Sequence, residues 1–83
     1  MSIIKQLSAW QKARQPLRKA KVTFPDKDVF IWEAADADVG VIEKRPGGRF
    51  LDFHVENRPF GVVKGVYKRR ATLMRKEAEH GHR

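Results

Sequence analysis

The chain predicts an α+β fold: an N-terminal helix, a small antiparallel sheet of three to four strands, and a basic C-terminal helix. Three observations carry this expectation. Apolar residues recur at helical spacing near both ends, β-branched and aromatic runs fill the centre, and Pro, Gly and Asp clusters separate those runs. At 83 residues the chain is read as one domain, 1–83, close to the lower size at which a single core suffices without staples.

Ser2 suits a helix cap, and Ile3, Ile4, Leu7 and Trp10 follow on one stripe. Pro16 predicts an end near Gln15, because the residue before a proline disfavours the α region. Trp10 reads as a core anchor rather than a base-stacking ring. The stripe could pack internally or against a second copy, so oligomeric state stays open. Leu17 to Lys21 reads as a basic connector.

Val29-Phe30-Ile31-Trp32 is a strand candidate, bounded by Pro25-Asp26-Lys27-Asp28 and Ala34-Ala35-Asp36-Ala37-Asp38. Val39–Glu43 and Arg49–Val55 flank Arg45-Pro46-Gly47-Gly48, the clearest hairpin turn in the chain. In the second of these strands Leu51, Phe53 and Val55 share the face expected to meet the core. Phe50, Asp52, His54 and Glu56 share the other, which leaves Phe50 as an exposed or edge aromatic.

Asn57-Arg58-Pro59 marks a break, and a helix is expected from Tyr67 to Glu79. Residues 60–66 fit a strand or a helix equally. Phe60, Val63, Tyr67, Ala71, Met74 and Ala78 form one helical stripe, whereas Gly61, Gly65 and three valines are poor helix formers. Residues 80–83 should fray around Gly81.

The net charge of +8 is segregated. Residues 1–25 carry six bases and no acid, 26–61 five bases against eight acids, and 62–83 seven bases against two acids. A charge of this size and placement points to a polyanion, with DNA ahead of RNA, bound by a small non-catalytic regulator or accessory factor. Lys64, Lys68, Arg69, Arg70, Arg75 and Lys76 are the primary candidate contacts, since no acid lies among them to make them an ordinary ion-paired surface. Lys12, Arg14, Arg18, Lys19 and Lys21 supply a second patch of phosphate contacts. About six engaged phosphates imply a slope near −5 in log affinity against log salt. The central segment, with its excess of acids, implies that a polyanion meets the helices and connector and avoids the sheet. The alternative is a small protein-interaction module, an inhibitor or adaptor docking on an acidic protein surface.

No enzyme, cofactor or metal is expected. The only serines are Ser2 and Ser8 and there is no cysteine, so a nucleophilic triad has no centre and neither disulfides nor Cys-based zinc sites can form. Asp52, His54 and Glu56 alternate on one strand face, but neighbours there stand ~6.5–7 Å apart with no second cluster to complete a coordination shell. Gly61 and Gly65 do not match a phosphate loop. Residues 1–20 lack the apolar core of a signal peptide, and charges break every apolar run short of a membrane span, which implies a cytoplasmic protein.

Overall fold

A computed structural model describes residues 3–14 and 16–80. The chain runs α1 (Ile3–Ala13), β1 (Pro16–Thr23), β2 (Asp28–Ala34), β3 (Val39–Lys44), β4 (Phe50–Glu56) and α2 (Phe60–His80). The four strands form one antiparallel meander in sequence order, with β1 and β4 at its edges. This is the expected α+β arrangement. Of the tail expected to fray, 80–83, His80 is instead the last residue of α2, and residues 81–83 lie outside the described residues, as does the Ser2 cap.

The connector expected at 17–21 is instead strand β1, paired with β2 from Pro16↔Ala34 to Thr23↔Asp28 around a bulge near Arg18. Its signal in the sequence is a period of two: Ala20, Val22 and Phe24 point one way while Lys19, Lys21 and Thr23 point the other. The ambiguous segment 60–66 is the start of α2, which is continuous over 21 residues. Phe60, Val63, Tyr67 and Ala71 bury against the sheet, and that burial outweighs the poor propensity of Gly61 and Gly65, which sit on the outer side.

Register divides the sheet into two faces. Val22, Val29, Ile31, Val39 and Val41 point towards α2, and with Phe24, Phe60, Val63, Tyr67 and Ala71 they form the main core. The opposite face carries Lys19, Lys21, Phe30, Trp32, Gly40, Ile42, Lys44, Phe53 and Val55. There α1 packs against β4 and reaches β3, with Trp10 meeting Phe53 edge-on at 6.1 Å between ring centroids. Gly40 makes this possible, because a Cβ there would lie 3.0 Å from two carbons of the Trp10 indole. Of the expected α1 stripe, only Trp10 is buried, and Ile4 is exposed. The helix also ends earlier than expected, at Ala13.

The β4 expectation changes in the same way. Phe53 does meet a helix, but it is α1 rather than the main core, and Leu51 and Val55 are exposed. A register shift beside Lys44 turns Phe50 onto the α1 side, where it is half-buried. The hairpin at 45–48 forms as expected: Arg45 N–H donates to the Arg49 carbonyl at 2.7 Å and Gly48 N–H to the Arg45 carbonyl at 3.1 Å. Gly47 and Gly48 take φ of 99° and 109°, a region L side chains rarely enter.

Beyond Ala71 every residue of α2 from Thr72 to Glu79 is exposed, so the helix overhangs the sheet. The radius of gyration, 13.9 Å, accordingly exceeds the ~12 Å of a compact chain of this length.

Candidate nucleic-acid interface

The eleven cations expected to form the interface fall into distinct settings. Arg14 and Arg18 are neutralised by carboxylates. Arg14 Nε donates to Asp36 at 3.0 Å, its guanidinium lies 5.6 Å from the Trp10 ring, and it thereby ties the end of α1 to the β2–β3 turn. Arg18 donates twice to Glu33, at 2.9 Å each, while lying over the Phe60 ring at 4.6 Å. Those paired bonds, with the opposing charges, hold the Arg18 pKa above and the Glu33 pKa below their ordinary values. Lys12 is exposed on α1, remote from α2 across the sheet.

The cations of α2 are different. Among the described residues, none of Lys64, Lys68, Arg69, Arg70, Arg75 and Lys76 pairs with a carboxylate. Helical geometry nevertheless separates them. Lys64, Lys68 and Arg75 follow at intervals of four and seven and line the flank next to β1. Arg70 lies over the Tyr67 ring at 5.2 Å, and Arg69 and Lys76 turn away from the sheet.

Where that flank meets the free edge of β1, Lys21, Thr23, Lys68, Thr72 and Arg75 line a groove of about 270 Å³. Arg75 is fixed across it, donating to the Thr23 carbonyl at 3.1 Å. Three cations and the Thr23 hydroxyl around one groove, with no carboxylate on its lining, offer charge and hydrogen-bond donors suited to a phosphate, while the Thr72 hydroxyl donates to the Lys68 carbonyl at 3.0 Å. Lys21 is the one member with an acid near it, Asp28 at 3.9 Å. Nothing in the sequence singles out Thr23, since its hydroxyl matters only once β1 and α2 are adjacent.

The expectation of an acidic sheet is corrected by the same register that divides its faces. Glu33, Glu43, Asp52 and Glu56 all point to the α2 side, and Lys19, Lys21 and Lys44 to the other, with Asp28 as the acid among them. Averaging charge along the chain conceals this, because alternate residues of a strand belong to opposite surfaces. The acids are also engaged: Lys27 reaches Glu43 at 2.6 Å, and Arg58 binds Glu56.

Asp52, His54 and Glu56 form a partly exposed row on β4. The imidazole is bridged, with Nδ1 at 3.1 Å from Asp52 and Nε2 at 3.0 Å from Glu56. Partial burial pulls the His54 pKa down, but the hydrogen bonds and negative charges of Glu56 and Asp52 outweigh it and hold the pKa above its ordinary value. Burial and the nearby Glu56 and Glu43 charges push the Tyr67 phenol up. No helix among the described residues is long and apolar enough to cross a membrane. Comparison with protein-family models, with curated proteins and with solved structures finds no match.

Proposed function

We propose that this chain is a small, non-catalytic nucleic-acid-binding protein whose phosphate contacts centre on the junction of β1 and α2. The observation that carries the reading is the groove in which Lys21, Lys68 and Arg75 converge with the Thr23 hydroxyl. Lys68 and Arg75 have no carboxylate partner to surrender when a phosphate arrives, so their counterion release adds directly to affinity, while Lys21 must exchange Asp28 for the phosphate. Lys64 on the α2 side, and Lys19 and Lys44 on the lysine-bearing face, extend the same positive surface to six cations. Engagement of four to six phosphates gives a slope of about −3 to −5 in log affinity against log salt.

Fluorescence anisotropy with labelled oligonucleotides across a salt series tests this. Lys68→Glu should lower affinity at least tenfold and flatten the slope by about one. Wild-type binding that does not change with salt would remove nucleic acid from the account.

The second reading, a protein-interaction module, is favoured by Val62 and Leu73. They lie eleven positions apart, on one side of α2 after three turns, at 49% and 52% exposure. Leu73→Glu should then abolish capture of a discrete protein and leave oligonucleotide affinity unchanged.

A further inference from the structure

The sheet face opposite α2 carries a second, more specific pattern. Three lysines stand directly across from three aromatic residues: Lys19 opposite Trp32, Lys21 opposite Phe30, and Lys44 opposite Phe50. In each pair the ammonium lies over the ring of its partner, at 4.8, 5.8 and 5.8 Å from the centroid. The rings are half-buried, whereas Val29 and Ile31, their neighbours on the other face of β2, are 0% exposed. Helix α1 packs mainly against β4 and covers the β1–β2 half of this face only in part, through Leu7. What remains is a groove of about 200 Å³, floored by Phe30, Trp32 and Ile42, edged by Lys19, Lys44 and Phe50, and walled on the helix side by Leu7 of α1.

That volume falls short of the ~300–1,000 Å³ of sites that enclose a whole small-molecule ligand, and suits the insertion of one flat group. Lysine stems that merely shelter aromatic rings from water would produce similar pairs. Sheltering, however, gives no reason for all three to be cations, or for most acids of these strands to face the other way. Lysine heads over partly exposed rings place positive charge and π-surface side by side, the two features that bind unstacked nucleotides.

Resting on the nucleic-acid reading above, we propose that this face is a base-stacking platform for single-stranded nucleic acid. Trp32 and Phe30 take successive bases. Lys19, Lys21 and Lys44 leave the rings as the bases arrive and pair with the flanking phosphates. Lys21, which stands over Phe30 and also lines the β1–α2 groove, passes the strand on to Lys68 and Arg75. A duplex cannot use the platform, because its base faces are occupied by each other. Spacing points the same way. Alternate residues of a strand stand about 6.5 Å apart, roughly twice the 3.4 Å per nucleotide along a duplex strand, so the two rings accept bases of an extended strand.

The test uses the intact chain, a labelled oligothymidine of about 12 nucleotides, a duplex of equal length, and an abasic strand with the same phosphates. Wild type should prefer the oligothymidine, and the abasic strand should bind it at least tenfold more weakly, since each stacked base contributes about 5- to 150-fold. Trp32→Leu should cost oligothymidine affinity by a similar factor, leave duplex affinity and the salt slope unchanged, and abolish quenching of tryptophan fluorescence by the single strand. Trp32→Phe, which restores a ring, should recover most of the affinity.

Equal wild-type affinity for abasic and thymidine strands overturns the platform, and needs no variant to fold. So does a folded Trp32→Leu protein that binds single strands as wild type does. In both cases salt-dependent binding lost in Lys68→Glu leaves the phosphate groove standing. Failure of wild type to bind any of the three oligonucleotides overturns the nucleic-acid reading itself.

Discussion

Gly40→Ala isolates the contact that seats α1 on the sheet. The added methyl would lie 3.0 Å from two atoms of the Trp10 indole and 3.3 Å from a third, against the 3.5–4.0 Å at which carbon atoms pack without repulsion. About half an ångström must therefore be found. Trp10 cannot simply swing aside, because Phe53 abuts its ring and Arg14 covers it. The movement has to come from α1 as a whole. Overpacking of this kind costs about 1–3 kcal/mol, while replacing glycine with alanine recovers roughly 0.4–1 kcal/mol from the unfolded chain, for a net loss of about 1.5 kcal/mol. In a chain of this size that lowers the midpoint of thermal unfolding by about 6–12 °C. Thermal and urea unfolding, followed by far-ultraviolet circular dichroism, should be run on Gly40→Ala, Trp10→Phe and the double variant. Phenylalanine withdraws the six-membered indole ring, so in that background Gly40→Ala should be neutral or stabilising. A Gly40→Ala protein as stable as wild type would refute the reasoning, as would single-variant effects that add within about 0.5 kcal/mol.

Two other outcomes follow from the charge assignments. Arg18→Ala should leave oligonucleotide affinity within about twofold, since Glu33 already neutralises the guanidinium, and should lower the urea midpoint only slightly, because the guanidinium end of the pair is exposed. The His54 row makes stability depend on pH. Its imidazole titrates at a higher pH folded than unfolded, so its contribution is fully present below the unfolded pKa of about 6.5 and is lost as pH rises through the folded value. The urea midpoint of wild type should therefore decline over that interval, and the component due to His54 should vanish in His54→Gln. Nuclear magnetic resonance titration should find the imidazole pKa lowered in Asp52→Asn/Glu56→Gln.

Legibility in the sequence follows how local the determining interaction is. The 45–48 hairpin and the Val29–Trp32 strand are written in turn residues and β-branched runs, and both can be read there. Strand β1 is hidden by its own charge: Arg18, Lys19 and Lys21 fall within four residues and obscure the alternation of Ala20, Val22 and Phe24. The start of α2 is unreadable for a different reason. Gly61 and Gly65 argue against a helix locally, and only the sheet beneath Phe60 and Val63 decides for it. The basic character of α2 can be read directly. Which of its cations converge cannot, since that depends on β1 lying alongside Lys68 and Arg75. Arg14 and Arg18 look equally available in the sequence. Their acids, Asp36 and Glu33, come from segments 22 and 15 residues away.

Strand β1 is also an edge, with one row of backbone groups unclaimed by any neighbouring strand and Leu17 exposed beside it. Such an edge is a template for pairing with another chain, and lysines along it oppose that by mutual repulsion. Lys19 and Lys21 thus oppose edge-to-edge self-association of the protein. Repulsion of this kind is screened within about 3 Å in molar salt, the same condition that strips nucleic acid from a basic protein. The chain is therefore most prone to cross-strand aggregation in molar salt.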